Sequence, residues 1–488
     1  MRETGNSILL ATINAKWIHP SLALRLLKAN LGALEESCGI IEFALRQPLR
    51  EKTGPILAAS PRILGLSVSI WNHTATLELL KELVTSWETR PVIVLGGPEV
   101  SFLPPQAEIF RYADYVIRGE GETAFRELCE TILCDGNVNF ADRIAYSAGL
   151  EEEKVLSQTG ENFSAVFINR KTQPVDVAAI NSGYYLYTDE DLRKKLVYAE
   201  ASRGCPFRCA FCLSAHSAAV RDFPLEPFFA QMDSLIQRGA KTIKFLDRTF
   251  NLDTARAQRI MEYFLEKLKG RTEPPVVHFE MVPSRFPGEL VGTIARFPPG
   301  TLRLEIGIQS LNPAVTARIG RQSKPRQELA AIRLLREKTG AIIHADLIAG
   351  LPGEDMASFG RGFDQLYEAL VPGNAPAEIQ LGMLKLLPGA PIARHTEAFG
   401  MRYSPGPPYE LLESGALSAA DLARLKNFAR FWEIIVNRGL YGFGAAPVFD
   451  RFMALADFLF ARFGRNWGIP QNELREAVNN YAAVQKNE

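Results

Sequence analysis

Residues 196–212 read LVYAEASRGCPFRCAFC. A short apolar run leads into a stretch where Gly204 and Pro206 favour a loop over a helix. That loop holds Cys205, Cys209 and Cys212, half of the six cysteines in a chain of 488 residues. Cys38, Cys129 and Cys134 are scattered, so a disulfide framework is not expected. Clustered thiols of this kind point instead to metal or redox chemistry. Arg203 and Arg208 add positive charge that favours thiolates.

The spacing Cys205-x-x-x-Cys209-x-x-Cys212 lets three thiolates on one loop converge on one inorganic centre. A structural zinc site wants four N/S ligands. No fourth cysteine lies nearby, and His216 is the candidate that would complete a Cys3His set. Ordinary iron–sulfur clusters take four cysteines, so three suit a 4Fe–4S cluster with one iron open to another ligand. Spacing alone leaves both readings standing.

Outward from this loop the chain has the rhythm of a βα barrel. Strand candidates are KLVYAEA (195–201), KTIKFLD (241–247), VVHFEM (276–281), LRLEIGIQS (302–310), IIHADLIAGLPG (342–353) and IQLGMLKLLPG (379–389). Helical stretches such as RAQRIMEYFLEKLK and RQELAAIRLLREKTG separate them, at close to the βα repeat length. Polar groups recur at the strand ends: Asp247, Glu280, Glu305, Gln309, Ser310 and Asp346. That edge carries the chemistry of parallel-strand barrels. Any one of these carboxylates has a salt bridge or helix cap as its bland alternative, so the recurrence carries the reading.

Residues 8 to about 150 alternate apolar runs with amphipathic stretches. The runs are ILLATIN (8–14), IIEFAL (40–45), RILGLSVS (62–69), PVIVLGGPE (91–99) and YVIRGEGE (115–122). Near-continuous apolar strands between helices predict a doubly wound, Rossmann-like parallel sheet covered on both faces. The strands end in Asn14, Ser67, Ser69, Gly96 and Gly97, then Gly119, Glu120, Gly121 and Glu122. Ligands of open parallel sheets bind at such ends, and glycine permits close approach. No G-x-G-x-x-G follows the first strand, which counts against a nicotinamide site.

Lys+Arg and Asp+Glu balance at 55 each, so no net charge steers the protein toward nucleic acid or anionic lipid. No apolar run reaches the roughly 18 residues of a spanning helix, and the first residues do not form a secretory signal. A cytoplasmic protein is expected. Four segments follow: residues 1–150, a connector over 151–196, the barrel over 197–400 and a helical region over 401–488. In the last, Ser418 and Asp421 resemble a capping box, and Gly439 is a stop for the helix that follows. Its aromatic residues at helical spacing read first as core.

The stretch EASRGCPFRCAFC resembles the signature of radical S-adenosylmethionine (SAM) enzymes. FLDRTFNLD, LEIGIQS, HADLIAGLPGE and LLPGAP resemble segments at later strand ends of the same family. LGLSVS, VLGGPE and IRGEGE resemble the cobalamin-binding domain that precedes the barrel in one large subclass. The resemblance covers residues 5 to about 395 and implies a partial (β/α)6 barrel. It implies that Cys205, Cys209 and Cys212 ligate three irons of a 4Fe–4S cluster whose open iron chelates SAM. It places Phe211 at adenine, Asp247 at the SAM amine, and Glu305 and Gln309 at the methionine or ribose portions. Cobalamin is implied over Asn14, Ser67, Ser69, Gly96, Gly97, Gly119, Glu120, Gly121 and Glu122. The D-x-H-x-x-G segment of many cobalamin proteins is absent, and His19 is the histidine nearest the first strand end.

The implied activity is reductive cleavage of SAM to a 5′-deoxyadenosyl radical, used for cobalamin-dependent methylation of an unactivated carbon. The implied partners are a small-molecule or peptide substrate and an electron donor such as flavodoxin or ferredoxin. The resemblance assigns no acid or base catalyst. Radical rearrangement or reduction without methyl transfer is the alternative, and a non-catalytic zinc-stabilised binding protein the remote one.

Overall fold

The computed structural model describes residues 7–134, 153–159, 162–168, 172–217 and 219–485. The expected boundary near residue 150 lies outside them. The chain forms two compact units. One comprises Met1–Ala201, Arg221–Lys244 and Leu387–Gly389; the other comprises Ser202–Val220, Phe245–Leu386 and Ala390–Glu488.

The first unit is built on a seven-stranded sheet. Its strands are β1 (Ile8–Asn14), β2 (Cys38–Ala44), β3 (Ile63–Ser67), β4 (Val92–Gly96), β5 (Tyr115–Val116), β6 (Glu153–Thr159) and β7 (Asn162–Ile168), in the order β2-β1-β3-β4-β5-β7-β6. Only the β6–β7 pair is antiparallel. Helices α1 (Leu22–Ala29), α2 (Leu49–Ala59), α3 (His73–Ser86) and α4 (Glu122–Cys134) connect the parallel strands.

The apolar runs are continuous because both faces are covered. Leu9, Ala11 and Ile13 of β1 enter one core with Leu64, Leu66, Ile93 and Leu95. The alternate residues Ile8 and Leu10 enter a second core with Ile63, Val94 and Phe125. The segment expected to be a connector contributes the β6–β7 hairpin, so it extends this sheet. Further on, α5 (Asp189–Lys194) is held by a buried ion pair, Arg25 Nη2 to Asp191 Oδ2 at 2.9 Å.

The barrel strands are β8 (Val197–Ala199), β9 (Thr242–Phe245), β10 (Val276–Met281), β11 (Leu302–Gln309), β12 (Ile342–Ala349) and β13 (Ala377–Met383), in the order β13-β12-β11-β10-β9-β8. With the helices between them they make the partial (β/α)6 barrel. Those helices are α6 (Leu225–Gln237), α7 (Thr254–Leu268), α8 (Gly288–Ala295), α9 (Pro313–Arg318), α10 (Pro325–Lys338) and α11 (Met356–Leu370).

Here burial alternates strictly along β10, β11 and β12. Val277, Phe279, Leu304, Ile306, Ile343 and Ala345 are fully buried. His278, Glu280, Arg303, Glu305, His344 and Asp346 share the opposite, inner face. A one-residue slip would exchange the two sets, so the hydrophobic pattern sets which side chains line the interior.

The C-terminal helices α12 (Ala419–Trp432), α13 (Phe449–Phe463) and α14 (Gln471–Gln485) follow. Ser418 and Asp421 form the expected capping box, a contribution of about 1 kcal/mol. Phe428, Phe431, Trp432, Phe449 and Phe452 are buried, whereas Phe460 and Trp467 are exposed. Phe363 of α11 packs against Trp432 at 4.7 Å and Phe428 at 5.1 Å between ring centroids. Past Trp432 the chain makes a π-helical turn, Glu433–Asn437. Asn437 there accepts from Ile379 N–H and donates to Ile379 C=O, covering a stretch of the edge strand β13.

Candidate functional site

Within the second unit the three cysteines of the 205–212 loop line one cleft of about 1030 Å³, open mouth included. The loop is shaped by Gly204, at φ +108°, where a Cβ would fall 2.2 Å from the Ala219 carbonyl oxygen. Only glycine meets both demands. Ala210 clamps the loop between two others. Its N–H donates to Ile319 C=O and its C=O accepts from Ile392 N–H, both at 2.8 Å. Burial pushes the Cys205 and Cys209 thiols up, and the Arg321 guanidinium beside Cys209 pulls that thiol the other way.

Opposite the loop, Glu280, Glu305 and Asp346 line the cleft from three adjacent strands. Arg248 Nη1 stands 3.7 Å from Glu280 Oε2, and His278 Nε2 stands 3.0 Å from Glu305 Oε2. The register of β11 against β12 shifts between Gly307 and Gln309, and Gln309 takes φ +70°. A non-glycine residue there is uncommon, and such strain concentrates at functional positions. Gln309 lines the cleft, as does Phe211.

Asp247 does not line it. Its carboxylate is buried, 2% exposed, and accepts a hydrogen bond from Ser202 Oγ at 2.6 Å. Ser310 likewise turns to Glu354 Oε1, at 2.6 Å. His216 is not among the lining residues either.

Residues beyond the sequence candidates complete the wall: Arg248, Thr249, Arg321, Gln322 and Glu328. Arg248 and Thr249 directly follow the strand-end Asp247, a position that the strand-end reading could have extended to. Arg321 follows α9 and has no periodic signal at all.

The cleft suits a cluster better than a lone ion. Among the described residues no group of three or more His, Cys, Asp or Glu side chains is gathered to hold one metal ion. A four-iron cubane holds its thiolates farther apart than a single ion holds its ligands. Three cysteines facing a cleft with carboxylate and arginine walls match a cluster with one iron open to a polar ligand.

In the first unit, the carboxyl ends of β1 and β3 are stitched by Asn72, 1% exposed. Its amide donates to Ile13 C=O and Ser67 C=O and accepts from Ser69 N–H. Gly97, at φ +107°, lies where a Cβ would meet Val68 O at 2.5 Å. Gly119 N–H donates to Ser101 Oγ, and Asn14 to Glu42 Oε1.

The Glu120 carboxylate is engaged by Arg221 and by Val175 N–H. Glu122 is buried at the start of α4, Gly96 ends β4, and Gly121 lies immediately before α4, five residues past the end of β5. His19 Nδ1 is 2.7 Å from the Tyr198 hydroxyl, and burial lowers its pKa. Sequence reading missed Asn72, the His73–Glu99 pair at 2.9 Å and the half-exposed Trp71 that follows β3.

Residues 200–365 match the Radical SAM superfamily model, and residues 8–129 the B12 binding domain model. The cobalamin-dependent radical SAM methyltransferase TokK of Streptomyces tokunonensis is 25% identical over 368 residues, 73% of this chain and 52% of that protein. A 2-(S-pantetheinyl)-carbapenam-3-carboxylate methyltransferase of Streptantibioticus cattleyicolor is 26% identical over 362 residues, 71% of this chain and 50% of that protein. The chain thus spans about half the length of these curated relatives.

The solved structure of the cobalamin-dependent SAM radical enzyme OxsB, with aqua-cobalamin and SAM bound, superposes with a TM-score of 0.65 at 15% identity. The match covers 98% of this chain and 79% of that one. The SAM methyltransferase TsrM of Kitasatospora setae gives 0.59 at 19% identity, over 82% and 79%. These likenesses establish a shared fold.

Proposed function

We propose that this protein, which belongs to the radical SAM superfamily and carries a B12-binding domain, is a cobalamin-dependent methyltransferase acting on an unactivated carbon. The observation that carries the reading is the three-cysteine loop facing carboxylates from three adjacent strands of a parallel barrel. When bound, a reduced 4Fe–4S cluster and methylcobalamin would supply the electron that splits SAM to a 5′-deoxyadenosyl radical and the methyl group that is transferred.

The chain's own part is binding, orientation and exclusion of water. Cys205, Cys209 and Cys212 would hold the cluster, on a loop whose shape Gly204 and Ala210 determine. Phe211 offers a ring, and Glu305 and Gln309 offer hydrogen-bond acceptors, to the nucleoside and amino-acid parts of SAM. Asp247, with its carboxylate on Ser202, would act on that end of the cleft by fixing the 202–205 segment. In the first unit Asn14, Ser67, Ser69, Gly96, Gly97, Gly119 and Gly121 would border the cobalamin, and Glu120 and Glu122 would brace that edge from within the fold.

Among the described residues no helix is long and apolar enough to cross a membrane. A small molecule or peptide is the proposed substrate, and a one-electron carrier such as flavodoxin or ferredoxin the proposed reductant.

The test is anaerobic turnover of reconstituted protein with reductant, SAM and methylcobalamin. 5′-Deoxyadenosine together with a methylated product is expected. No 5′-deoxyadenosine under any reductant would overturn the radical reading. 5′-Deoxyadenosine from protein that retains no cobalamin would overturn methyl transfer alone.

A further inference from the structure

Beneath the carboxylate floor of the cleft the barrel's inner face carries histidines. His278 stands behind Glu305. His344 stands behind Asp346, with Nε2 at 3.3 Å from Asp346 Oδ1. The same Nε2 is 2.8 Å from Gln380 Oε1, and Nδ1 is 2.8 Å from Glu378 Oε2. The register sets this arrangement: His344 pairs with Glu305 on β11 and with Glu378 on β13, and Asp346 pairs with Gln380.

A neutral imidazole offers one donor and one acceptor. Both nitrogens of His344 face oxygen. An amide such as Gln380 can be turned end for end, but a carboxylate at neutral pH accepts only. Glu378 makes Nδ1 a donor, and Nε2, bonded to Gln380, stands 3.3 Å from Asp346 Oδ1, so two carboxylates flank one ring and favour the imidazolium.

The groups that face it agree. Its own strand contributes Asp346, β11 contributes Glu305 with Arg303, and β13 contributes Glu378 with Gln380; His278 of β10 lies behind Glu305. Arg303 reaches the ring only through Glu378, with which it is paired. Burial disfavours the charged ring, but the bonds to Asp346 and Glu378 and the charge of Glu305 outweigh it and push the pKa up to about 10.

We infer that His344 is a positioning residue. It is a permanent cation on the inner face of the barrel that keeps Asp346 ionised and aimed into the cleft, as an acceptor for a hydroxyl or ammonium group of the ligand bound there. That His344 touches no cleft surface itself fits this role: it is absent from the lining, while Asp346 is part of it. Identifying the ligand as SAM rests on the proposed function; the charge on His344 does not.

Two measurements test this. In the first, ring-nitrogen NMR of the full chain labelled at its six histidines, assigned with His344→Gln, needs no ligand. Both nitrogens of His344 should stay protonated from about pH 6 to about pH 9, well above the usual histidine range. A ring that is neutral at about pH 8, as a proton shuttle would be, overturns the inference.

In the second, SAM binding to reconstituted protein is measured by calorimetry at about pH 8 and about pH 5.5. Wild type and His344→Lys, which restores the charge, should bind alike at both. In His344→Gln the crowded carboxylates lose their counter-charge and Asp346 protonates more readily. Its affinity should fall further at the lower pH, by about tenfold for each unit below the new carboxylate pKa. An equal loss at both pH values, unrelieved by lysine, would mean a merely structural role and would overturn the inference. Failure of the wild type to bind SAM would count against the proposed function and leave the ring-proton spectra to decide on His344.

Discussion

The buried amide of Asn251 accepts a hydrogen bond from Val282 N–H at 2.7 Å and donates to Val282 C=O and Arg285 C=O at 3.0 and 2.7 Å. One fully enclosed side chain thereby joins the loop that carries Arg248 and Thr249 to the loop that carries Val282 and Ser284. All four of these residues line the cleft. Phe250 stacks on Phe279 at 3.8 Å behind the same wall. Removing the amide leaves three backbone groups without their partner. Asn251→Ala is expected to destabilise by about 2–4 kcal/mol, read in denaturant unfolding. A loss below about 0.5 kcal/mol would show that the loops hold each other without it.

The cysteines give a direct test of the cluster assignment. Replacing Cys205, Cys209 and Cys212 together by alanine should remove iron, acid-labile sulfide and the visible absorbance of anaerobically purified protein. Cys38→Ala should leave all three unchanged, because Cys38 is buried in the sheet core and its thiol is pushed up to about 12 by burial. Stoichiometric zinc in wild type would replace the assignment.

Glu354 predicts a pH dependence of stability. It is 2% exposed, and burial pushes its carboxyl up to about 7 despite the bond from Ser310. The folded pKa lies above the unfolded one of about 4.3. The contribution to stability is therefore full below about pH 4.3 and is lost as pH rises to about 7, with no further change above. Glu354→Gln keeps an acceptor for Ser310 and removes the titration. Its melting point should exceed wild type at about pH 8, by an amount equivalent to about 4 kcal/mol, and match it below about pH 4. Parallel profiles for the two proteins would refute the assignment.

Arg25 is the hinge of a buried charge cluster. It pairs with Glu42 at 3.0 Å and Asp191 at 2.9 Å, with its own side chain 4% exposed. Its guanidinium also lies 4.5 Å from the centre of the Tyr187 ring. Arg25→Met keeps the volume but leaves Glu42 without its guanidinium, and Asp191 with Lys195 at 2.8 Å. A cost of about 3–5 kcal/mol is expected, and thermal unfolding of the variant measures it.

Trp71 probes the proposed cobalamin edge. It is 51% exposed, four residues past the end of β3, so its removal should barely alter stability, by less than about 0.5 kcal/mol. A flat corrin ring would gain from an aromatic face there. Trp71→Ala should therefore retain less cobalamin after desalting, read from the cobalamin absorbance, with an unchanged melting point. Equal retention would place the corrin away from this edge.

Much of this was decided by the sequence itself. Apolar runs such as ILLATIN are buried on both faces whatever else happens, and the alternation in LRLEIGIQS sends one set of side chains to the helices and the other inward. Periodicity encodes burial, and the cysteine loop is local, so both could be read without coordinates.

Only the tertiary structure chose the partners. The sequence offers Asp247 and Asp346 alike as strand-end aspartates, yet Asp247 lies past β9 and turns to Ser202, whereas Asp346 lies within β12 and faces the cleft. Glu120 meets Arg221 across 101 residues of chain. Arg321 stands beside Cys209, two residues past Ile319, whose carbonyl accepts from Ala210 of the cysteine loop. His344 is an ordinary histidine until the register of three strands sets a carboxylate on each side of its ring. A carboxylate or a histidine costs much to bury alone and little when paired. What it does is therefore decided by the neighbour that the fold brings, and that neighbour is distant in sequence.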